Sequence, residues 1–334
     1  MLLRYLGEVL TVNKYHPVDS LKVPKFCGVR TFMRLPAVQT TEDVDVAIVG
    51  IPFDTGASYR TGQRFGPGAI RDISVMIRKH NRALDISTFD HISGVDYGDI
   101  DVVPGDIEET YRLIEGGLRP IVDAGVIPIC LGGDHSITLG ELRAVAKRHG
   151  PVALVHFDAH TDTDDEPFGL KYNHGTPFTW AVKEGLIDPG RSISVGIRGS
   201  MYGPHEVRES EDLGLKVITA DEMRELGLPE VARQIRERAG EALVFFSFDI
   251  DFVDPSCAPG TGTPELEGFD SHEALSLVRD IGGLSFVAFD IVEVLPAFDP
   301  AQTTAYLAAH VGCEFASIIA VHKRDGSAYL SRLG

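Results

Sequence analysis

Residues 152–162 read VALVHFDAHTD, an apolar run that ends in alternating carboxylates and imidazole. Val152–Phe157 has the length and the β-branched and aromatic content of a strand buried on both faces. Side chains alternate faces in extended backbone, so Asp158, His160 and Asp162 converge on one side of the strand's end.

The same pattern recurs on either side of that stretch. Residues 45–51 (DVAIVGI), 126–131, 192–197, 242–248 and 284–289 are further apolar runs of strand length. Between them lie amphipathic segments at 108–123, 228–239 and 271–280. The first carries Tyr111, Ile114, Leu118 and Val122 along one face, with Pro120 leaving its last turn open. Buried strands alternating with helices predict an α/β fold, a three-layer αβα sandwich around a mostly parallel sheet. No repeat or composition break divides residues 45–334, which read as a single domain. Residues 1–44, interrupted by Pro17, Pro24 and Pro36, read as an irregular arm packing on the body or on a neighbouring subunit.

Composition narrows the function. The chain has 334 residues, 43% of them hydrophobic, and can bury a large core. Its net charge of −18 speaks against nucleic acid, whose phosphates need clustered Lys and Arg, and favours cations in a cleft. Cys27, Cys130, Cys257 and Cys313 are far apart and form no C-x-x-C pair, so a disulfide framework is not expected. No leader pattern is evident, and no segment is expected to approach the roughly 20 apolar residues that span a bilayer. A cytoplasmic protein without a membrane partner is the expectation.

In open parallel sheets ligands bind beyond the carboxyl ends of the strands, and the acids and histidines fall there. GGDHS (132–136) follows one run and supplies His135; SFDIDFVDP (247–255) closes another and supplies Asp249 and Asp251. With Asp158, His160 and Asp162 this makes four carboxylates and two imidazoles at one sheet edge. Without cations the carboxylates would repel one another, and two divalent ions remove that cost. An oxygen-rich set with some nitrogen and no thiolate suits Mn²⁺, with Ni²⁺, Co²⁺ or Zn²⁺ able to substitute. Each piece also has a structural reading. A lone D-x-H-x-D occurs in ordinary loops, Asp134 and Ser136 suit the start of a helix, and Asp254 before Pro255 suits a turn.

GGDHS, FDAHTD and SFDIDFVDP resemble the signature motifs of the ureohydrolase family of arginases, agmatinases, guanidinobutyrases and formimidoylglutamases. The likeness extends over residues 45 to 325 and includes GASYRTGQRFGPGAIR (56–71), APGTGTPE (258–265) and DIVEVLPAFD (290–299). The resemblance implies an arginase-type fold, a pair of Mn²⁺ ions, and hydrolysis of a guanidino group to urea and an amine. It places one ion on His135, Asp158, Asp162 and Asp249, and the other on Asp158, His160, Asp249 and Asp251. It further implies that Asp162 orients the attacking hydroxide and that His174 shuttles a proton to the leaving amine. Glu293 then holds the substrate guanidinium. A homotrimer or homohexamer is also implied.

The substrate is read from the residues after Asp162. DTDDEPFGLKYNHGTPF (162–178) and VGIRGS (195–200) resemble agmatinases, and the acids Asp164, Asp165 and Glu166 suit a second cationic end such as the amine of agmatine. Against this, FCGVRTFMRLP (26–36) resembles the arm of guanidinobutyrases and guanidinopropionases, where Arg30, Arg34 or Arg64 would meet a carboxylate tail. Hydrolysis of free guanidine and a non-catalytic, metal-binding partner subunit are the remaining readings.

Overall fold

The computed structural model describes residues 13–327 together with 330 and 333. Among the described residues there are ten strands: β1 (Val46–Ile51), β2 (His80–Asn81), β3 (Ile86–Ser87), β4 (Gly94–Asp99), β5 (Ile127–Gly132), β6 (Ala153–Phe157), β7 (Ile193–Ile197), β8 (Lys216–Thr219), β9 (Leu243–Asp249) and β10 (Ser285–Val292). β2 and β3 form a small antiparallel pair. The other eight make one sheet in the order β4-β1-β5-β10-β9-β6-β7-β8, and every pairing in it is parallel. Chain order and sheet order diverge sharply at the centre. β9 and β10, the last strands in sequence, sit between β5 and β6.

The central strands are buried on both faces, as continuous apolar runs require: all of β1, β5 and β6 is buried. Helices cover the sheet. They are α1 (Gly66–Ser74), α2 (Thr88–His91), α3 (Ile107–Asp123), α4 (Ile137–His149), α5 (Pro177–Lys183), α6 (Glu206–Asp212), α7 (Ala220–Leu226), α8 (Leu228–Ala239), α9 (Ser271–Asp280) and α10 (Thr303–Arg324). α8 and α9 have the bounds expected from the sequence. α9 starts at a capping box in which Asp270 and Glu273 each accept from the other's backbone N–H. Pro120 does not end α3: it removes one hydrogen bond, while Leu118, Ile121 and Val122 stay seated in the core to its last turn.

Two strands of the eight-stranded sheet are not legible as apolar runs, and neither is the short β2-β3 pair. β8 has four residues, and β4 reads GVDYGD, with glycines and acids where an inner strand would have Val or Ile. Both lie at sheet edges. The buried Asp96 of β4 is explained by Arg71, whose Nε and Nη2 reach its two oxygens at 2.9 and 3.0 Å. The same carboxylate accepts from the Phe32 N–H at 2.8 Å, and Phe32, Met33 and Leu35 are buried in the core.

The expectation that no segment approaches membrane-spanning length is corrected by α10. This helix has 22 residues and is long and apolar enough to cross a bilayer by length and composition. Its most apolar window is 83% buried inside the fold. Phe315 packs on Phe289 and Phe246 of the sheet at 4.4 and 5.0 Å between ring centroids, which is the setting of a core helix. His310 and Glu314 interrupt its apolar sequence and hid its length. All four cysteines are free.

Candidate metal centre

Sheet register assembles the cluster. Leu131 of β5 pairs with Ile291 of β10, Ile291 with Phe248 of β9, and Phe248 with Phe157 of β6. The next residues along β6 and β9, Asp158 and Asp249, therefore leave the sheet side by side. His135 arrives from beyond β5 after Gly132-Gly133. A Cβ on Gly133 would lie 1.8 Å from the Phe53 carbonyl oxygen, so the chain can take this path only with glycine there.

Nδ1 of His135 lies 3.1 Å from Asp158 Oδ2, 2.8 Å from Asp162 Oδ2 and 3.1 Å from Asp249 Oδ2. Nδ1 of His160 lies 3.3 Å from Asp158 Oδ1 and 3.1 Å from Asp251 Oδ2. Asp158 thus faces both groups, one oxygen to each. Asp249 reaches the first through Oδ2, while its Oδ1 accepts from the Asp251 N–H at 2.8 Å. All six expected ligand residues are brought together.

The electrostatics of this cluster are those of a cation site. Burial, with the charges of Asp251 and Asp158, pushes the Asp249 carboxyl well above its ordinary range, and burial beside Asp158 raises Asp251 to about 6. Burial opposes charge on His135 and His160, yet the surrounding carboxylates hold both imidazoles well above their ordinary range. Asp158 is buried too, but His156, His135 and His160 hold it well below the usual carboxylate range. Two buried polar atoms, His135 Nδ1 and Asp251 Oδ2, have no hydrogen-bond partner, and one lies in each group. Orphaned donors of the right types in a cage of carboxylates fit divalent cations. Behind His135, Nε2 meets Ser247 Oγ at 2.8 Å, and Ser247 and Thr138 both donate to Asp290 at 2.6 Å. Both hydroxyl protons are committed to Asp290, so His135 Nε2 carries a proton, and Nδ1 is the nitrogen left to face a cation.

The facing wall is built on β10 and a loop. Glu293 follows β10 in left-handed backbone, φ 64°, and Asp162 has φ 50°. Such strained conformations are held where the surroundings determine them, commonly at functional sites. Glu293 Oε1 accepts from the His135 N–H at 2.9 Å and from His174 Nδ1 at 3.0 Å, and its Oε2 accepts from Gln63 at 2.8 Å. The other nitrogen of His174 is 2.7 Å from Ser58 Oγ. Burial disfavours charge on His174, but Glu293 outweighs it and raises the imidazole to about 9.

Asp164 lines the same cleft, together with Glu206, Phe168 and Tyr202. Burial, with the charges of Asp162 and Glu206, raises Asp164 to about 6. Its neighbours Asp165 and Glu166 are exposed outside the cleft, Asp165 paired with Lys183 at 2.8 Å. Arg64, expected to contact substrate, is not brought to the cleft: its Nε donates to the buried Asp54 at 2.6 Å. Arg30 pairs with Asp72 at 3.4 Å, and Arg34 is buried on the Val23 carbonyl.

Several residues of the site were not singled out from sequence. His156 and Ser247 each stand two positions before an expected ligand, so alternation alone could have found them. Asp290 is an acid inside an apolar strand, which carries the same signal. Gln63 opens a single 3-10 turn and Ser58 lies in the loop before it, so neither has a period to read. Arg198 lies on the Asp251 carbonyl at 2.6 Å and on the Phe252 carbonyl at 3.2 Å, bracing the turn that presents Asp251.

Residues 44–317 match the arginase family model. The chain is 44% identical over 303 residues to mitochondrial agmatinase of Gallus gallus, covering 91% of this chain and 89% of that protein. It is 42% identical over 305 residues to guanidinopropionase of Pseudomonas aeruginosa, covering 91% and 96%. The solved structure of proclavaminate amidino hydrolase from Streptomyces clavuligerus superposes with a TM-score of 0.84 at 43% identity, covering 89% and 99%.

Proposed function

The chain belongs to the arginase family, and from that premise we propose that it hydrolyses agmatine to urea and putrescine at a pair of manganese ions. It is an amidinohydrolase acting on guanidino compounds. In this reading His135, Asp158, Asp162 and Asp249 hold one ion, and Asp158, His160, Asp249 and Asp251 hold the other. Bound there, the pair supplies Lewis acidity and a water made nucleophilic near neutral pH.

The chain's own residues do the rest. Glu293 presents a buried carboxylate that suits the planar, two-pronged face of a guanidinium. A guanidinium that takes Glu293 displaces His174 Nδ1 from that oxygen and leaves its N–H facing the substrate nitrogens. His174 then delivers a proton to the departing amine, without which an amide anion would have to leave. Asp162 orients the attacking water.

The choice of agmatine rests on the charge of the cleft. Asp164, Glu206 and Glu293 line it, and no Lys or Arg is among its described lining residues. An ammonium tail is attracted there, and a carboxylate tail is repelled. A guanidino-acid substrate is the second reading, favoured by the comparable identity to guanidinopropionase. Further support for a homo-oligomer comes from the arm, where Leu21, Phe26 and Val29 are exposed together with Met76. The test is urea release by the Mn²⁺-loaded protein from agmatine, 4-guanidinobutyrate, 3-guanidinopropionate, arginine and guanidine. A kcat/KM highest for agmatine is expected. Preference for either guanidino acid would overturn the agmatine assignment and leave the hydrolase reading standing.

A further inference from the structure

We propose that His156 is a positioning residue that divides the Asp158 carboxylate between two ions, an inference that rests on the two-metal reading above. His156 lies in β6 two residues before Asp158, on the same face, and is fully buried. Its Nε2 is 2.8 Å from Asp158 Oδ2. Its Nδ1 is 3.0 Å from the hydroxyl of Ser194, the residue that pairs with it across β7.

The spacing of His156 with His135, Asp158 and Asp162 would also suit a metal ligand. Its partners argue otherwise, because both ring nitrogens are already engaged. An ionised carboxylate only accepts, so Nε2 carries the proton and Nδ1 accepts from Ser194. The ring is also held in place, with Phe178 and His135 packed at 4.4 and 5.2 Å between centroids.

The consequence lies in the lone pairs of Asp158. Oδ1 accepts the His160 backbone N–H at 2.6 Å, and Oδ2 accepts the His156 ring N–H at 2.8 Å. Each oxygen therefore has one donor from the protein and keeps a second direction open. For Oδ2 that direction leads to His135 Nδ1, and for Oδ1 to His160 Nδ1. With both donors in place the carboxylate cannot turn to give both oxygens to one ion. The donor on Oδ1 is main chain; the donor on Oδ2 is the His156 side chain and can be removed. Without it the ion on the His135 side loses a fixed ligand, whereas the His160 side keeps its own.

The test is Mn²⁺ titration of the metal-free protein by calorimetry and electron paramagnetic resonance, comparing wild type, His156→Phe and His156→Gln. Gln retains an N–H near the position of Nε2; Phe retains the volume alone. Wild type and His156→Gln should bind two equivalents and give the spin-coupled signal of an ion pair. His156→Phe should bind one equivalent normally and the other about 10–100-fold more weakly, giving an uncoupled signal at one equivalent. Two equivalents bound by His156→Phe with wild-type affinities would overturn the assignment. A wild-type protein taking fewer than two equivalents sinks the two-metal reading itself, and this inference with it. Should His156→Phe not fold, Ser194→Ala carries the test. Freeing the ring should weaken one of the two ions several-fold, and unchanged binding overturns the proposal.

Discussion

Nδ1 of His174 stands 3.0 Å from Oε1 of Glu293, joining the loop that follows Asp162 to the end of β10. In the proposed reaction Glu293 holds the substrate cation while His174 delivers a proton to the leaving amine. His174→Asn should lower kcat by about 10²–10⁴-fold, the usual worth of a positioned general acid. Bound metal, measured by elemental analysis, should stay at the wild-type level. Wild-type turnover by the variant would remove His174 from the reaction.

The same pair should make the metal-free protein's stability depend on pH. His174 is raised from 6.5 to about 9 in the folded state, so its contribution is fully present below about pH 6.5 and is lost as pH rises through 9. The gap in melting temperature between wild type and His174→Asn, measured without metal, should narrow across that window. A constant gap would mean that His174 is held by packing instead of charge.

Asp164 is the test of the substrate's far end. Asp164→Asn should reduce kcat/KM for agmatine about tenfold, a change of about 1.4 kcal/mol. Free guanidine, which has no tail, should be turned over as before. Equal losses for both compounds would place Asp164 in support of the loop and not in recognition.

Asp158→Ala removes the carboxylate that faces both groups. Urea release should vanish and metal content should fall, since both ions lose a ligand. Mn²⁺ should raise the melting temperature of the wild type and leave that of the variant nearly unmoved. Retention of two ions and activity would refute the ligand assignment.

Away from the cleft, Asp96 ties Arg71 of α1 to the backbone of Phe32. Asp96→Ala takes the bidentate partner from a buried guanidinium that keeps Asp99, and should cost about 1.5–3 kcal/mol, read as a lower urea midpoint. Proteolysis ahead of Phe32 should speed up more than cleavage elsewhere. Uniform acceleration would show that the contact does not hold the arm.

How much of this could be read from the chain depended on whether local pattern or tertiary partners decided each element. β5, β6 and β9 were legible because strands buried on both faces must be apolar throughout, and their ligand-bearing ends follow from alternation. β4 was not legible, because its Asp96 is made tolerable by Arg71 and the Phe32 N–H, which a local reading does not see. α10 was missed for a related reason: its His310 and Glu314 are accommodated by the fold around them. The cluster of His135, Asp158, His160, Asp162, Asp249 and Asp251 was anticipated because each member lies at or just beyond a strand's carboxyl end. Arg64 was misplaced because nothing local reveals that Asp54 engages it.

The late strands at the heart of the sheet bear on how the protein is made. A growing chain that has not yet reached Leu243 has β5 and β6 but lacks the two strands that lie between them. His135, Asp158, His160 and Asp162 have by then emerged, but with no common edge on which to meet. Assembly must therefore wait for pairings far apart along the chain, which are slow to form and leave strand edges open to wrong partners in the interval. A premature stop beyond α8 removes the middle of the molecule, and the polypeptide left behind is a candidate for aggregation and for chaperone capture.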